Sequence, residues 1–433
     1  MSTEILLVDL SAIGISPNTV ANPSWIDTWC LEESNTSQDA QNLRRAAHEL
    51  RTSDVPVAFP TETVYGLGAD ATRSNAVRGI YKAKQRPSDN PLISHIWSLH
   101  QLRDLLLPAS NEEQCNHTQD PIPEIYKPLI TKFWPGPLTL IMPNPPNSKL
   151  APEVTAGLST FGIRMPRNPH VLALLKLANV PLAAPSANAS TKPSPTQAEH
   201  VKYDLDGRIN TIIDGGSCDV GVESTVVDGM SSPPSILRPG GISIEEIRSC
   251  PGWEDVTVGY KDVSELNSKP RAPGMKYKHY SPKTRVVLYE HSKSAPNLTE
   301  LEQYLGEKKS IGLIRTNSWS RGLGLGLEDL PSKVSESAEQ IPVAYPANNP
   351  ASNALGIEAL YACDSTGSKF TIHDANLGRN PDDIARGLFA ALRSLDKLDL
   401  DTILVEGVDD TLGDVSAAVM NRLRKAAEVK LVD

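Results

Sequence analysis

The sequence predicts an α/β protein built in two units, and three observations carry that reading. Short apolar runs alternate with helix-patterned segments along most of the chain. The alternation stops between about Cys250 and Pro282, where Pro251, Pro270, Pro273 and Pro282 punctuate a stretch with little periodicity, and then resumes. The length, 433 residues, suits two or three domains at ~150 residues each.

Composition narrows the function. Lys+Arg number 42 against 52 Asp+Glu, a net charge of −10. That balance counts against a protein that simply coats nucleic acid, although a local basic cleft is compatible with it. No apolar run approaches the ~18 residues of a membrane span, so no membrane association is expected. The N-terminus, MSTEILLVDL, carries Glu4 and Asp9 and no basic residue before Arg44. It resembles neither a secretory signal nor a basic transit peptide. Cys30, Cys115, Cys218, Cys250 and Cys363 are dispersed, with no Cys-x-x-Cys and no zinc-ligand spacing. A reducing, cytoplasmic setting is therefore expected, and no protein-bound metal. Proline, at 35 residues, is about 8% against a typical ~5%.

Residues 1–42 read as an N-terminal extension, with ILLVD (Ile5–Asp9) as a lone strand candidate. The first domain is expected over 43–249. Val55–Phe59 is a strand that stops at Pro60, and Asn75–Lys84 has helical spacing through Val77, Ile80 and Tyr81 and stops near Pro87. Pro91–Ile96 is a short strand, and Asn111–Asp120 a polar surface insertion. Phe133–Pro137 (FWPGP) turns into a strand at Leu138–Met142. Gly162–Met165, Pro181–Ala184, Thr211–Asp214, Thr225–Asp228 and Ile236–Leu237 are further strands, and Ile242–Ile247 closes the domain as a helix. Residues 250–283 form a structured linker. The second domain, 284–433, has buried strands at Val286–Tyr289, Ile311–Arg315 and Ile403–Glu406. A helix starts at Asn380-Pro381-Asp382-Asp383, with a capping Asn, Pro at the first turn and carboxylates at the positive end. Ile384, Leu388, Leu392 and Leu395 give it one apolar face. Such alternation predicts a mostly parallel sheet covered on both faces.

Five segments could carry chemistry. PTETVYGLG (60–68) ends a strand in hydroxyls, a carboxylate and two glycines, which suits a polar small molecule as well as a plain turn. In KAKQRPSDNPLISHI (82–96), Lys84 and Arg86 stand at a helix end, followed by Asn90 and His95. Cations there favour the helix dipole, and they also suit a polyphosphate. Arg164 lies inside an apolar strand, where a carboxylate ligand or a structural ion pair would justify its burial. Ser186-x-Asn188 opens a loop of small polar residues closing near Ser194, able to wrap phosphate oxygens or to form an ordinary turn. Ser224 and Thr225 begin one strand, and Arg238 ends another before Pro239. Five such strand ends outline one cleft. A P-loop, a nucleophile elbow, a His-Glu-x-x-His helix and the kinase motifs are all missing.

In this order, PTETVYGLG, Lys84-Gln85-Arg86-Pro87 with DNPLISHI, FWPGPLT, IRMP, Pro185-Ser186-Ala187-Asn188, ESTVVD and LRPGG closely resemble the threonylcarbamoyl-AMP synthase family. PGMKYKHYSP (273–282) matches its two-domain form. The resemblance implies a YrdC-like twisted mixed sheet with a concave ligand cleft, followed by a smaller Rossmann-like parallel-sheet domain. It implies that L-threonine, bicarbonate and ATP give threonylcarbamoyl-AMP and pyrophosphate, with magnesium on the nucleotide. The product would pass to a tRNA threonylcarbamoyl transferase complex, for the adenosine beside the anticodon. Direct tRNA contact would be weak. Lys84 and Arg86 would be catalytic and would bind ATP with Asn90, Thr160, Ser186, Asn188, Ser194 and Arg238. Thr63, His95, Arg164, Ala184 and Ser224 or Thr225 would contact threonine. Ser94 and Asn168 depart from the family's usual residues there.

From Lys269 to Arg285 the linker carries six cations and no carboxylate, with Tyr277, His279 and Tyr280 interleaved. It is expected to lie across the cleft mouth as a lid excluding water. A rival reading is an RNA-binding module without catalysis. A hydrogenase-maturation carbamoyltransferase would need zinc-type cysteine pairs, which this chain does not have.

Overall fold

The structure is a computed structural model and describes residues 2–21, 24–88, 90–109, 119–259, 279–325, 356–432 and the backbone of 328–329. Two units emerge: Met1–Ser190 with Ser194–Lys276, and Thr191–Pro193 with Tyr277–Asp433.

The first unit is built on strands β1 (Glu4–Leu7), β2 (Val57–Phe59), β3 (Gly66–Asp70), β4 (Ile93–His95), β5 (Leu138–Pro143), β6 (Thr160–Arg164), β7 (Leu182–Ala183), β8 (Thr211–Asp214), β9 (Thr225–Asp228), β10 (Ser235–Arg238) and β11 (Thr257–Val258). Their order in one sheet is β1-β8-β2-β3-β7-β4-β6-β5-β9-β10-β11. The sheet is mixed: β4 runs parallel to β6 and β5 to β9, whereas β7 is antiparallel to both β3 and β4.

Three helices show why the sequence folds this way. α1 (Gln38–Thr52) starts where the Ser37 side chain accepts the Ala40 N–H, and it buries Ala40, Leu43, Ala47 and Leu50 on one stripe. α2 (Ser74–Lys84) buries Val77, Ile80, Tyr81 and Lys84 and ends at Gln85, whose φ of 52° is left-handed. α3 (Pro169–Ala178) is capped by Asn168, whose Oδ1 accepts from the N–H groups of His170 and Val171. The departure from the family's usual residue at 168 is thus a good helix cap. Ser94, the other departure, has a fully buried Oγ with no hydrogen-bond partner among the described residues.

Residues 1–42 are not a loose extension. β1 pairs in parallel with β8, register Glu4 to Thr211. The Thr3 hydroxyl donates to the Ile209 carbonyl at 2.6 Å, and Trp29 Nε1 to the Ile13 carbonyl at 3.0 Å. Ile13, Trp25 and Ile26 join the core. The polar look of this stretch hid widely spaced apolar anchors, each reaching a different part of the unit. Most of the 111–120 insertion lies outside the described residues.

The second unit has strands β12 (Arg285–Tyr289), β13 (Ser310–Arg315), β14 (Glu328–Asp329), β15 (Ile357–Cys363), β16 (Lys369–Asn376), β17 (Thr402–Glu406) and β18 (Val429–Leu431). Their order is β14-β15-β16-β13-β17-β12-β18. Five neighbours, β16 to β18, are parallel, and β15 and β14 add an antiparallel edge. α4 (Pro381–Asp396) is capped by Asn380, whose Oδ1 accepts the Asp382 N–H, and α5 (Asp414–Ala426) packs beside it.

Candidate active site

The loop after β2 is the centre of the site. Thr61 Oγ1 accepts from the Thr63 and Val64 N–H groups and donates to the Val64 carbonyl at 2.6 Å, a self-contained turn. Two other loops clamp it. On one side the Tyr65 N–H donates to the Pro195 carbonyl, and the Ala187 N–H to the Tyr65 carbonyl, both at 2.8 Å. On the other, the Val220 and Gly221 N–H groups donate to the carbonyls of Glu62 and Thr63.

Arg164, 3% exposed at the end of β6, reaches this loop. Its Nε donates to the Gly136 carbonyl at 3.1 Å, and its Nη1 to Thr63 Oγ1 at 2.9 Å. Its Nη2 lies 2.6 Å from Glu62 Oε1, and both side chains are buried. The structural ion pair that the sequence left open is therefore present, and its partner is Glu62, the carboxylate noted in PTETVYGLG but not paired there with Arg164. A buried arginine in a strand signals a buried carboxylate elsewhere, and Glu62, in the loop after β2, was the candidate to test. His95 is paired with Arg164 across β4 and β6. Burial, reinforced by the Arg164 charge, lowers its pKa to about 3, so the ring is neutral at physiological pH and a poor general base. Its Nδ1 faces the Ile93 carbonyl at 3.2 Å. The Ala184 N–H donates to that same carbonyl.

Ser224 and Thr225 part ways. Ser224 Oγ lies 2.8 Å from Thr139 Oγ1 and accepts from Arg238 Nη2 at 3.0 Å, while Arg238 Nε donates to the Ser224 carbonyl. The Thr225 hydroxyl is committed to the turn that follows β10, donating to the Ile242 carbonyl and accepting its N–H. Thr139 joins Ser224 and Arg238 without having been foreseen.

Lys84 does not stand as a cation facing outward. It is 2% exposed, and its Nζ donates to the carbonyls of Ser186 and Asn188, the latter at 2.6 Å. Ser186 Oγ donates to Asn188 Oδ1, and the Ser190 N–H to the Lys84 carbonyl. The lysine thus organises the Ser-x-Asn loop. Arg86 is half-buried just past the left-handed Gln85. Asn90 is buried, and its carbonyl accepts the Tyr81 hydroxyl. Ser194 Oγ donates to Glu223 Oε1 at 2.6 Å. Thr160 opens β6, at the opposite end from Arg164, ~13 Å along an extended strand.

Two expectations change. The five strand ends, expected to outline one cleft, come from strands of both directions: β2 and β7 run opposite to β4, β6 and β10, so loops crossing a mixed sheet assemble the site. The glycines of PTETVYGLG serve packing, because a Cβ on Gly68 would stand 2.4 Å from the Phe59 ring. In the linker, Tyr277 lies outside the described residues. Tyr280 is 1% exposed, and its ring packs 5.3 Å from that of Phe389 in the second unit, with His279 at 4.1 Å. It anchors the linker's end in that unit's core. Among the described residues, no group of three His, Cys, Asp or Glu is placed to hold a metal.

Comparison with known proteins places the chain among characterised relatives. Residues 49–240 match the family described as "Telomere recombination", and 242–428 match "Threonylcarbamoyl-AMP synthase, C-terminal domain". The chain is 45% identical to a threonylcarbamoyl-AMP synthase of Schizosaccharomyces pombe, over 91% of this chain and 90% of that protein. It is 41% identical to one of Bacillus subtilis, over 92% and 96%. The crystal structure of P. abyssi Sua5 complexed with L-threonine superposes with a TM-score of 0.69 at 34% identity, covering 99% of this chain and all of that one. With matches of this identity over nearly the whole chain, the protein belongs to the threonylcarbamoyl-AMP synthase family in its two-domain form.

Proposed function

We propose that this chain joins L-threonine, bicarbonate and ATP into threonylcarbamoyl-AMP and releases pyrophosphate. One observation carries the reading: a buried arginine–hydroxyl–carboxylate cluster (Arg164, Thr63, Glu62) shares a loop framework with the Lys84-organised Ser186–Asn188 turn. The first suits an amino acid and the second suits phosphate oxygens.

Threonine's amine is nucleophilic only when neutral. Carbamate formation with bicarbonate or carbon dioxide gives an oxygen that attacks the α-phosphate, and pyrophosphate leaves in line. Such chemistry asks the protein for positioning and charge stabilisation. Arg164 keeps further N–H groups on its terminal nitrogens for the threonine carboxylate, with Nε and one Nη1 N–H fixed by Gly136 and Thr63. Neutral His95 and Thr63 orient the substrate. Arg86 and Arg238 supply positive charge near phosphate, and Ser186 and Asn188 supply donors. Magnesium arrives with the triphosphate as part of the substrate. The product then serves a tRNA threonylcarbamoyl transferase complex. Among the described residues, the unpaired Cys30, Cys218, Cys250 and Cys363 support a cytoplasmic location. Among the described residues no helix is long and apolar enough to cross a membrane.

Pyrophosphate release that requires both threonine and bicarbonate is the expected result in an ATP assay. Turnover indifferent to either would overturn the reading. Salt-sensitive tRNA binding without turnover would favour the RNA-binding alternative.

A further inference from the structure

A buried carboxylate ordinarily gathers several well-directed donors, because its desolvation is costly. Glu62 does not. It is 1% exposed, and its one cationic contact among the described residues is Arg164 Nη2 at 2.6 Å. Neither of its carboxylate oxygens accepts a well-directed hydrogen bond there, and Arg164 Nη2 is likewise without one. The backbone of Glu62 is pinned by the Val220 N–H, and its neighbour Thr63 hydrogen-bonds Arg164, so the carboxylate is held in place with its acceptors open. The nearby Cys218 thiol is pushed up by burial and then by Asp219, and stays neutral. The Glu62–Arg164 pair is thus a net-neutral unit with two buried poles of opposite sign that keep unused hydrogen-bonding capacity. The ligand complementary to it is a zwitterion whose ammonium and carboxylate are separated by one carbon.

We infer that Glu62 is the acceptor for the α-ammonium group of the amino-acid substrate, acting beside Arg164, which takes the α-carboxylate. The inference rests on the reading of threonine as substrate. It assigns selection for an α-amino acid over an α-hydroxy acid to Glu62, and it places a carboxylate against the amine that becomes the carbamate nitrogen.

The test compares L-threonine with (2S,3R)-2,3-dihydroxybutanoate, the same molecule with hydroxyl in place of the amine, in the full-length protein. Equilibrium binding is measured for wild type and Glu62→Gln, with ATP binding and thermal melting as controls for folding. Wild type is expected to bind threonine roughly 10- to 100-fold more tightly than the hydroxy acid, the range of one charge-assisted hydrogen bond. In Glu62→Gln, threonine binding falls by that factor and hydroxy-acid binding stays within about threefold of wild type. Equal binding of the two ligands by wild type would overturn the inference without any variant. A Glu62→Gln protein that loses both ligands in the same proportion would also overturn it, by making Glu62 only a support for Arg164. If wild type shows no threonine-dependent pyrophosphate release at all, it is the substrate reading that fails.

Discussion

Two cations two positions apart play different parts. Lys84 is spent on the carbonyls of Ser186 and Asn188, whereas Arg86 lies half-buried beyond the helix cap. Lys84→Met keeps the stem and removes the donor. It is expected to cost about 1–3 kcal/mol per orphaned acceptor, so the melting temperature and ATP affinity fall together. Arg86→Ala is expected to cut turnover more than tenfold, the worth of one charge-assisted contact, with the melting temperature unchanged. Near-normal turnover in that variant would remove Arg86 from the site. The pair was legible in the sequence, but the division of labour was not, since spacing alone does not say which side chain folds back on its own loop. His95 adds a pH signature. Its folded pKa of about 3 lies below the ordinary 6.5 because of burial and the Arg164 charge. As pH falls below 6.5, the unfolded chain takes up the proton first. Stability should therefore drop by about 1.4 kcal/mol per pH unit from that group down toward pH 3. Denaturant melts at pH 7.5 and 5.0 should show a smaller loss for His95→Asn than for wild type.

At the scale of elements, β2 and β3 show how packing can imitate a binding motif. Phe59 is fully buried and lies over β3, so positions 66 and 68 must lack side chains: a Cβ would come within 2.9 and 2.4 Å of the ring. Gly68→Ala should destabilise the first unit by about 1–3 kcal/mol, as overpacking does, and Phe59→Leu should recover part of it, measured by denaturant unfolding of the single and double variants. Gly-x-Gly after a strand was left open between a ligand loop and a plain turn, because the ring above it is invisible in a linear sequence. The strands at 211–214 and 225–228 and the start at Asn380 were legible, since each has an unbroken apolar run or a complete cap. β3 was missed for its glycines, and β15 and β16 for their polar alternation. The role of residues 1–42 was hidden because β1 finds its partner far along the chain, at β8, with Glu4 opposite Thr211. In the site, Thr63, His95, Arg164 and Ser224 were named from the chain. Thr139 and Glu223 emerged only once their partners stood beside them, as did the pairing of Glu62 with Arg164.

At the scale of the whole molecule, two α/β units invite the expectation of two nucleotide sites, and the second unit answers it at its topological switch point. From β13 the chain passes to β16 on one side, and from β17 it passes across to β18 on the other, while β13 and β17 are neighbours. Loops after such strands are where open α/β sheets hold ligands. Here the place is taken by the chain itself. The Glu406 carboxylate, at the end of β17, accepts the N–H groups of Thr316, Asn317, Ser318 and Trp319 and the Ser318 hydroxyl, at 2.5–3.0 Å. Successive N–H groups curled round an anion are how loops bind phosphate, so an internal carboxylate stands where a phosphate would. Calorimetric titration of the full chain with ATP should therefore give one site, and a second site of comparable affinity would show that Glu406 yields its place. The same contact has a pH consequence. Burial alone would raise the Glu406 pKa, but the donors of 316–318 together outweigh it and the net shift is downward. A depressed carboxyl stabilises the fold above its ordinary value of 4.5 and loses that contribution as pH falls through the folded value. Glu406→Gln should lower the stability of the second unit at pH 7, where four backbone donors lose an anion. The gap from wild type should then narrow below about pH 4.5, where the unfolded chain's carboxyl takes up a proton first and the folded carboxyl only at lower pH. A gap that stayed constant from pH 7 to pH 3, in melts followed by hydrogen exchange of β13 and β17, would mean the carboxylate charge does not hold this loop.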